Sequence, residues 1–345
     1  MRVGLVGFSG SGKSSVFEWL TGAKPNPAKV LQEGQVGIAV VPDARVAWLS
    51  AHFRPRKTTY ATLEVVDTPG LSLSDQRDNP KRLSILRTAD GLLVVLGAFA
   101  SDPVQDFKAF WDQLLFADLE IIANRIEKLE TVLKKPRPAK EKEQDQQQLQ
   151  LLRRIAVALE AGQSTQGLEL SPEEEKLVRS FQLFTLKRTM AFLNIAEDRI
   201  GKPIPDELRT LCPRVTSAPV KLELELMEVS ETDRQAFLQD LGLTELSRDR
   251  VVREIFEGMG LIVFLTVGED ECRAWAVPSG TTAVEAAAKI HTDLAEGFVR
   301  AEVVPFEEFQ KYGSMKECKA KGVYRLESKS YVLRDGDIMH VLANR

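Results

Sequence analysis

The chain has few residues of the kinds that build metal centres and disulfide frameworks. Its three cysteines, Cys212, Cys272 and Cys318, are far apart among 345 residues and match no metal-ligand spacing. No long apolar run predicts a membrane-spanning segment, and no leader segment is expected before the first strand. The net charge of −4 gives no global sign of nucleic-acid binding. These absences favour a soluble protein of a reducing, cytoplasmic compartment, with neither a membrane nor DNA as its partner.

A glycine-rich loop lies close to the amino end. Residues 2–6 predict a short apolar strand, residues 7–14 fit the phosphate-loop pattern, and a helix is predicted from residue 15. Glycines let backbone N–H groups approach phosphate oxygens, and the positive end of the following helix adds to that attraction. Lys13 is expected to reach the β- and γ-phosphates, and Ser14 to hold Mg²⁺. The alternative is a glycine-rich turn without a ligand, which the strand–loop–helix context disfavours. The predicted nucleotide contacts in this loop are Gly7, Ser9, Gly10, Ser11, Gly12, Lys13, Ser14 and Ser15.

A second motif follows a strand predicted over residues 59–66, which are rich in β-branched side chains. Asp67 ends this strand at a place where phosphate-loop proteins hold Mg²⁺, directly or through water. Three residues later, Gly70 leaves its N–H free to approach a γ-phosphate. Ser14 and Asp67 are therefore the predicted Mg²⁺ ligands. The alternation of strands and helices predicts an α/β fold with a doubly wound, mostly parallel sheet.

The middle of the chain changes to long helical patterns. Apolar residues recur at helical spacing over residues 111–133 and again over 149–159, and Pro136 and Pro138 break the pattern between them. This predicts an antiparallel helical hairpin, or coiled coil, with a basic tip. The cationic residues at that tip are Lys134, Lys135, Arg137, Lys140 and Lys142. They fit either a solvated end of the hairpin or a contact with RNA phosphates.

The carboxyl-terminal part predicts a return to the sheet and then a small separate domain. A strand is predicted over 189–195, whereas residues 220–226 fit a strand or a helix. Two strands, a helix over 282–295 and further strands predict a ubiquitin-like (β-grasp) domain. The predicted domains are a nucleotide-binding domain at 1–110 and 185–258, a helical insertion at 111–184, and a small domain at 259–345.

Together these stretches resemble the Obg-like ATPase (YchF) family of translation-factor-class phosphate-loop proteins. The resemblance covers nearly the whole chain and is carried by the segments 41–45, 57–62, 67–70, 117–120, 159–162, 168–170, 273–275, 290–293, 297–303 and 335–340. It implies a phosphate-loop nucleotidase fold with a helical insertion and a carboxyl-terminal TGS domain. It also implies ATP or GTP binding with Mg²⁺, slow hydrolysis, and association with the ribosome and its RNA; a monomer is expected.

The base preference has a physical argument of its own. GTPases bind the N1–H and N2–H donors of guanine with the aspartate of an Asn-Lys-x-Asp tetrad. Here Asn194 is present, but Ile195 replaces the lysine and Glu197 the aspartate. Adenine needs no carboxylate at that point, so ATP is predicted over GTP. Ser217 and Ala218 resemble the second base-side loop, and the alternative for Asn194 is a plain strand end.

Three departures from the resembled family concern catalysis. Leu31 takes the place of a first-switch threonine, and residues 72–80 lack the glycines of the second switch. The position of a histidine proposed for catalysis is occupied by Ile85. No catalytic residue is therefore assigned, and the leading hypothesis is a ribosome-associated nucleotide switch with slow or impaired hydrolysis. The alternatives are an active ATPase whose catalytic group comes from outside, and a non-hydrolysing scaffold.

Overall fold

The computed structural model describes residues 1–72, 77–99, 101–161, 168 and 170–344. The chain divides into two compact units. The first comprises Met1–Gly37 and Glu64–Leu246, and the second comprises Ile38–Leu63 and Ser247–Arg345. The second unit therefore takes a segment from the amino-terminal part of the sequence.

The strands run in both units. They are β1 (Arg2–Val6), β2 (Gln35–Val40), β3 (Lys57–Thr59), β4 (Thr62–Asp67), β5 (Gly91–Gly97), β6 (Arg188–Asn194), β7 (Val215–Ala218), β8 (Leu261–Thr266), β9 (Glu271–Pro278), β10 (Phe298–Pro305), β11 (Arg325–Glu327) and β12 (Asp337–Ala343). One sheet has the order β2-β4-β1-β5-β6-β7, and the other has the order β11-β10-β12-β8-β9-β3.

The helices vary widely in length. They are α1 (Lys13–Thr21), α2 (Pro27–Gln32), α3 (Ala44–Phe53), α4 (Asn79–Leu86), α5 (Pro103–Leu133), α6 (Ala139–Glu160), α7 (Pro172–Val178), α8 (Asp206–Leu211), α9 (Val220–Glu228), α10 (Glu231–Asp240), α11 (Arg248–Gly258), α12 (Ala283–Ile290), α13 (Thr292–Glu296), α14 (Phe306–Tyr312) and α15 (Met315–Ala320).

The first sheet is built around parallel strands. β1 pairs in parallel with β4 and β5, and β5, β6 and β7 follow in parallel. All seven residues of β5 are buried, as expected of an apolar strand covered on both faces. The predicted doubly wound α/β sheet is thus confirmed.

Helix α1 is fixed against this sheet by a buried tryptophan. The indole N–H of Trp19 donates to Glu223 Oε2 of α9 over 3.0 Å, and its ring packs against Phe192 of β6 at 5.9 Å. A buried indole N–H and a buried carboxylate both require partners, and here they meet. This contact holds the helix that follows the glycine-rich loop.

Helices α5 and α6 form the predicted hairpin. Their facing sides bury an apolar cluster that includes Ile122, Leu129, Leu152 and Ile155. At its tip Arg137 pairs with Asp145 and, over 3.3 Å, with Glu141. The first helix begins at Pro103, capped by Asp102, earlier than the pattern from residue 111 predicts.

The sheet of the second unit is mixed. β8 and β9 form an antiparallel pair, β12 lies parallel to β8, and β10 and β11 continue antiparallel. The predicted order of two strands, helix and further strands is therefore found. The edge strand β3 pairs in parallel with β9, from Lys57 opposite Glu271 to Thr59 opposite Arg273.

Some local predictions differ from the structure. Helix α2 has no counterpart among the predicted elements, and the strand predicted over 59–66 is divided into β3 and β4. Residues 220–226 belong to a helix, α9, and the helix predicted over 282–295 is interrupted at His291. The predicted domain boundaries stay a prediction.

The three cysteines are all buried thiols, and burial raises the pKa of each of them. Within the described ranges, no helix is both long and apolar enough to cross a membrane.

Candidate functional site

The carboxyl ends of the parallel strands bring the predicted site residues together. Val6 ends β1, Asp67 ends β4 and Asn194 ends β6, and Gly97 lies opposite Asn194 in register. In open α/β sheets, ligands bind at this edge. The loop of residues 7–12 leaves β1 here and leads directly into α1.

The loop ends at Gly12, which adopts φ 89° and caps α1. A Cβ at Gly12 would lie 2.2 Å from Nδ2 of Asn194, so no side chain fits at this position. Asn194 is buried, and its Nδ2 donates to Ser11 O over 3.4 Å. Ser9, Gly10, Ser14 and Ser15 lie at the exposed surface of the loop and of the first turn of α1. Asn194 thus supports the loop from within the protein, on the side of Ser11 and Gly12.

The ammonium group of Lys13 lies within the loop rather than in solvent. Its Nζ donates to Phe8 O over 2.8 Å, and only 6% of the residue is exposed. Burial lowers the pKa of Lys13 to about 8, although the nearby Asp67 carboxylate acts in the opposite direction. A buried cation of this kind is stabilised by any anion that reaches it.

A carboxylate lies close to this cation. Oδ2 of Asp67 accepts the hydroxyl of Ser14 over 2.7 Å, and the residue is fully buried. Burial raises the pKa of Asp67, against the stabilising effects of the Ser14 hydroxyl and of Lys13. Within the described part of the chain, Asp67 Oδ1 and Ser11 Oγ are buried without a hydrogen-bond partner. Hard oxygen atoms of this type are what Mg²⁺ prefers.

The chain after β4 is attached to the glycine-rich loop by backbone bonds. Leu71 N donates to Gly7 O over 3.1 Å, and Ser9 N donates to Leu71 O over 3.0 Å. A Cβ at Gly70 would lie 2.7 Å from Ser9 N and 2.8 Å from Lys13 Nζ. Gly70 therefore lies directly against the lysine, where only glycine fits.

Two side chains at this edge were not predicted from the sequence. Arg82 of α4 donates from Nη1 to Gly70 O over 2.7 Å. The half-exposed ring of Phe99 lies beside Gly97, because a Cβ at Gly97 would be 3.1 Å from that ring and 3.2 Å from Ser11 Cα. No local motif marks either residue. For Phe99, the sequence offered one signal: the residue closely follows β5, which ends at this edge of the sheet.

The predicted base-side residues lie next to one another. Asn194 pairs with Ala218 and Leu193 with Ser217, and Ile195 N donates to Ala218 O over 3.1 Å. Ser217 and Ala218 belong to strand β7, not to the predicted loop, because this register extends to the end of the strand. Glu197 is exposed and begins a short 3₁₀ turn.

Two family models match this chain, one in its amino-terminal part and one in its carboxyl-terminal part. A family model described as a 50S ribosome-binding GTPase matches residues 2–136. A second, named for the carboxyl-terminal part of YchF GTPases and described as a protein of unknown function (DUF933), matches residues 261–344.

Full-length relatives decide the family. Ribosome-binding ATPase YchF of Bacillus subtilis (strain 168) is 30% identical over an alignment of 368 residues, which covers 100% of this chain and 99% of that protein. The protein of the same name from Escherichia coli O157:H7 is 31% identical over 364 residues, 99% of each chain. The chain belongs to the YchF family.

Solved structures agree on the fold. The Schizosaccharomyces pombe YchF GTPase superposes with a TM-score of 0.82 at 24% identity, covering 99% of this chain and 97% of that one. A GTP binding protein from Pyrococcus horikoshii OT3 gives a TM-score of 0.61 at 18% identity, with full coverage of both chains. The fold is thus that of a YchF protein, with a phosphate-loop α/β unit and a carboxyl-terminal YchF domain.

The structure places Leu31 and Ile85, the residues predicted to depart from the family pattern, on two helices of the first unit. Leu31 lies on α2 with 55% of its surface exposed, and Ile85 is buried in α4. The three histidines, His52, His291 and His340, all belong to the second unit. The second-switch prediction at 73–76, and the parts of the resemblance at 162 and 169, lie outside the described residues.

Proposed function

We propose that this YchF chain binds a nucleoside triphosphate together with Mg²⁺, and ATP in preference to GTP. One observation carries the proposal: Lys13 and Asp67 are both buried, and burial destabilises the charged form of each. A triphosphate supplies the anion that the lysine needs, and a divalent cation supplies the charge that the carboxylate needs. A glycine-rich turn without a ligand gives no reason to bury both groups.

Different residues of the site are proposed to hold the phosphates and the Mg²⁺ ion. The backbone of residues 7–15 and the ammonium of Lys13 would hold the phosphates, and Gly70 N–H would face the terminal one. Ser14 and Asp67 would hold Mg²⁺, which neutralises charge that develops on the phosphate oxygens. Oδ1 of Asp67, which has no hydrogen-bond partner among the described residues, gives the carboxylate a ligand atom for this purpose.

The base preference follows from the groups after β6. Ile195 is apolar, and Glu197 is one methylene longer than the carboxylate that reads guanine in GTPases. Phe99 adds an aromatic face at the same edge, and a purine stacks on such a ring whatever its hydrogen-bonding pattern. Adenine has no donor that requires a carboxylate at this point, so the presence of Glu197 in place of an aspartate does not weaken its binding.

Hydrolysis is proposed to be slow. Leu71, which follows Gly70, is buried and apolar, and so is Ile85, so neither side chain can move a proton. General acid–base assistance typically contributes ~10²–10⁴ in rate. Bound ATP would then serve chiefly as the signal that sets the conformation of the protein, as in other nucleotide switches.

The ribosome is the proposed partner. The protein is proposed to act in the cytoplasm and as a monomer. The relatives are named for ribosome binding, and the hairpin tip offers the chemistry for an RNA contact. Lys134, Lys135, Lys140 and Lys142 are exposed, and none of them has an ion pair among the residues that the structure describes. Exposed lysines at a narrow tip bind phosphates and release counterions. The carboxyl-terminal unit is proposed to be a TGS domain.

Calorimetry with ATP and GTP, each with and without Mg²⁺, tests nucleotide binding. Mg²⁺-dependent binding of ATP, tighter than that of GTP, is expected. Failure of both nucleotides would leave the chain as an interaction scaffold and overturn the proposal. Single-turnover ATP hydrolysis well above one per second would contradict the proposed slow hydrolysis.

Co-sedimentation with ribosomes tests the partner. Replacing the four exposed tip lysines with glutamate is expected to weaken the association by more than tenfold and to flatten its salt dependence. The matched control replaces four exposed lysines outside the hairpin, Lys29, Lys81, Lys289 and Lys316. Equal losses in both variants would mean that net charge, and not the tip, carries the binding.

A further inference from the structure

A single peptide unit is held at both ends beside the glycine-rich loop. The unit joins Gly70 to Leu71: its N–H, on Leu71, donates to Gly7 O over 3.1 Å. Its carbonyl, on Gly70, accepts Arg82 Nη1 over 2.7 Å and Ser9 Oγ over 3.5 Å. Gly7 and Ser9, which make two of these bonds, belong to the loop itself, whereas Arg82 belongs to α4. Arg82 therefore connects this helix to the peptide that faces Lys13.

The guanidinium of Arg82 is largely withdrawn from solvent. Its side chain is 22% exposed, and the ionic partner that it has among the described residues, Asp78, lies at 3.8 Å and is itself 77% exposed. Such a distant and exposed pair neutralises little of the charge. The field of Arg82 reaches the loop, because it acts with burial to lower the pKa of Lys13. Two cations thus lie at the end of the site where Gly70 and Lys13 meet.

We propose that Arg82 determines the preference of this site for a nucleoside triphosphate over the diphosphate, by holding Gly70 against the loop and by placing a second fixed positive charge beside Lys13. The proposal rests on the proposed nucleotide binding and names a specificity-determining residue for it. Lys13 is expected to contact the β-phosphate of both ligands as well as the γ-phosphate of ATP, so it accounts for only part of the preference. The terminal phosphate is the part of ATP that ADP lacks, and it is the part that Gly70 N–H would face.

Arg82 and Lys13 repel one another even though Asp67 attracts Lys13, and an added phosphate group relieves that repulsion. A guanidinium also remains charged at every physiological pH, unlike a buried lysine. Charge-assisted hydrogen bonds are short and strong, so the bond to Gly70 O keeps Arg82 in place. The same side chain therefore fixes the peptide and supplies the charge.

Calorimetry with Mg·ATP and Mg·ADP on four proteins tests the proposal. The wild type is compared with R82M, which removes the charge, R82K, which keeps it, and R82Q, which keeps a donor for Gly70 O. In R82M the ATP affinity is expected to fall by roughly 10- to 100-fold, the range for a lost charged hydrogen bond, with ADP affinity within about twofold. R82K is expected to restore most of the ATP:ADP ratio and R82Q little of it.

The matched control is K81M, because Lys81 is the exposed cation next to Arg82 in sequence. Its ATP:ADP ratio should equal that of the wild type. An unchanged ratio in R82M, or full recovery in R82Q, would overturn the proposal. Should R82M fail to fold, as judged by thermal unfolding, R82K and R82Q decide between charge and hydrogen bond. A wild type that binds neither nucleotide would overturn the proposed function itself, which is a different result.

Discussion

The hydroxyl of Ser14 donates to Oδ2 of Asp67 over 2.7 Å, which leaves Oδ1 of the same carboxylate buried and free of any partner within the described residues. A buried carboxylate oxygen in this state is costly unless a ligand completes it. The D67N variant is therefore expected to lose the Mg²⁺-dependent part of ATP affinity. Its dissociation constant in Mg²⁺ should approach the value in EDTA, whereas the EDTA value itself should change by less than about threefold.

Isothermal titration with and without Mg²⁺ measures this difference. D112N, at an exposed carboxylate on α5, serves as the control and should keep the full Mg²⁺ effect. If D67N retained that effect, Asp67 would not be a metal ligand.

The burial of Lys13 predicts a pH dependence of nucleotide affinity. The folded-state pKa is about 8, below the ordinary value of 10.5, because burial disfavours the charged form. A triphosphate favours that form, so the affinity for Mg·ATP should be constant below pH 8. Above pH 8 it should fall by up to about tenfold per pH unit, with uptake of one proton on binding. Titrations at pH 7–9.5 in buffers of different ionisation enthalpy measure both effects. A flat profile that persisted to pH 9.5 would show that Lys13 stays charged without the ligand.

The same lysine should lower the stability of the ligand-free protein. Because its folded-state pKa is depressed, the cost of burying the charge is fully present below pH 8 and is relieved as the pH rises toward 10.5. K13M is thus expected to raise the free energy of unfolding of the nucleotide-free protein at pH 7 by an amount on the order of 1 kcal/mol or more, and with it the unfolding temperature, while ATP binding is lost. Thermal melts at pH 7 and pH 10 check the sign, since the advantage of K13M should shrink at the higher pH. A K13M protein less stable than the wild type at pH 7 would contradict this account.

The glycine-rich loop could be predicted from sequence because its determinants are contiguous. Gly12, Lys13 and Ser14 are neighbours, and Asp67 and Gly70 form a short motif at a strand end. Arg82 and Phe99 could not be predicted, because their contacts with Gly70 and with Gly97 exist only once the chain has folded.

Helix α9 shows a different limit. Residues 220–226 alternate between apolar and polar side chains, which is a strand pattern. In the helix, Val220, Glu223 and Leu226 are buried on one face, and Glu223 is satisfied there by Trp19. That tertiary partner, more than 200 positions earlier, decides the outcome.

Distance along the chain also explains the missed pairing of β3 with β9, since residues 57–59 and 271–273 give no local sign of one another. The missed helix α2 did carry a signal. Asn26 caps it and Pro27 occupies its first position, which is a common helix start.

A buried carboxylate at the base of the hairpin should be important for stability. Asp118 accepts Arg87 Nη1 over 2.9 Å, and both the N–H and the hydroxyl of Thr185, over 2.8 and 2.9 Å. D118A leaves the Arg87 guanidinium without its carboxylate and is expected to cost about 3–5 kcal/mol. Urea unfolding followed by circular dichroism measures this, with D112N again as the exposed control. A loss below about 1 kcal/mol would mean that water replaces the carboxylate without difficulty.

The residues after β6 allow a test of base choice by gain of function. The chain has Asn194, Ile195, Ala196 and Glu197, so the double variant I195K/E197D creates the Asn-Lys-x-Asp tetrad without moving Asn194. The shorter carboxylate would accept both guanine donors, and each charged hydrogen bond contributes about 1.5–3 kcal/mol. The GTP:ATP affinity ratio is therefore expected to rise by at least about tenfold over the wild type.

Competition titrations with labelled nucleotides measure that ratio. The single variants act as matched controls: I195K alone leaves the longer Glu197 in place and should change the ratio by less than about threefold, whereas E197D alone should give part of the gain. Loss of ATP affinity without a gain for GTP would be the opposing result. It would mean that the base does not contact these residues. A preference of the wild type for adenine would then arise elsewhere, and Phe99 would be the next residue to replace.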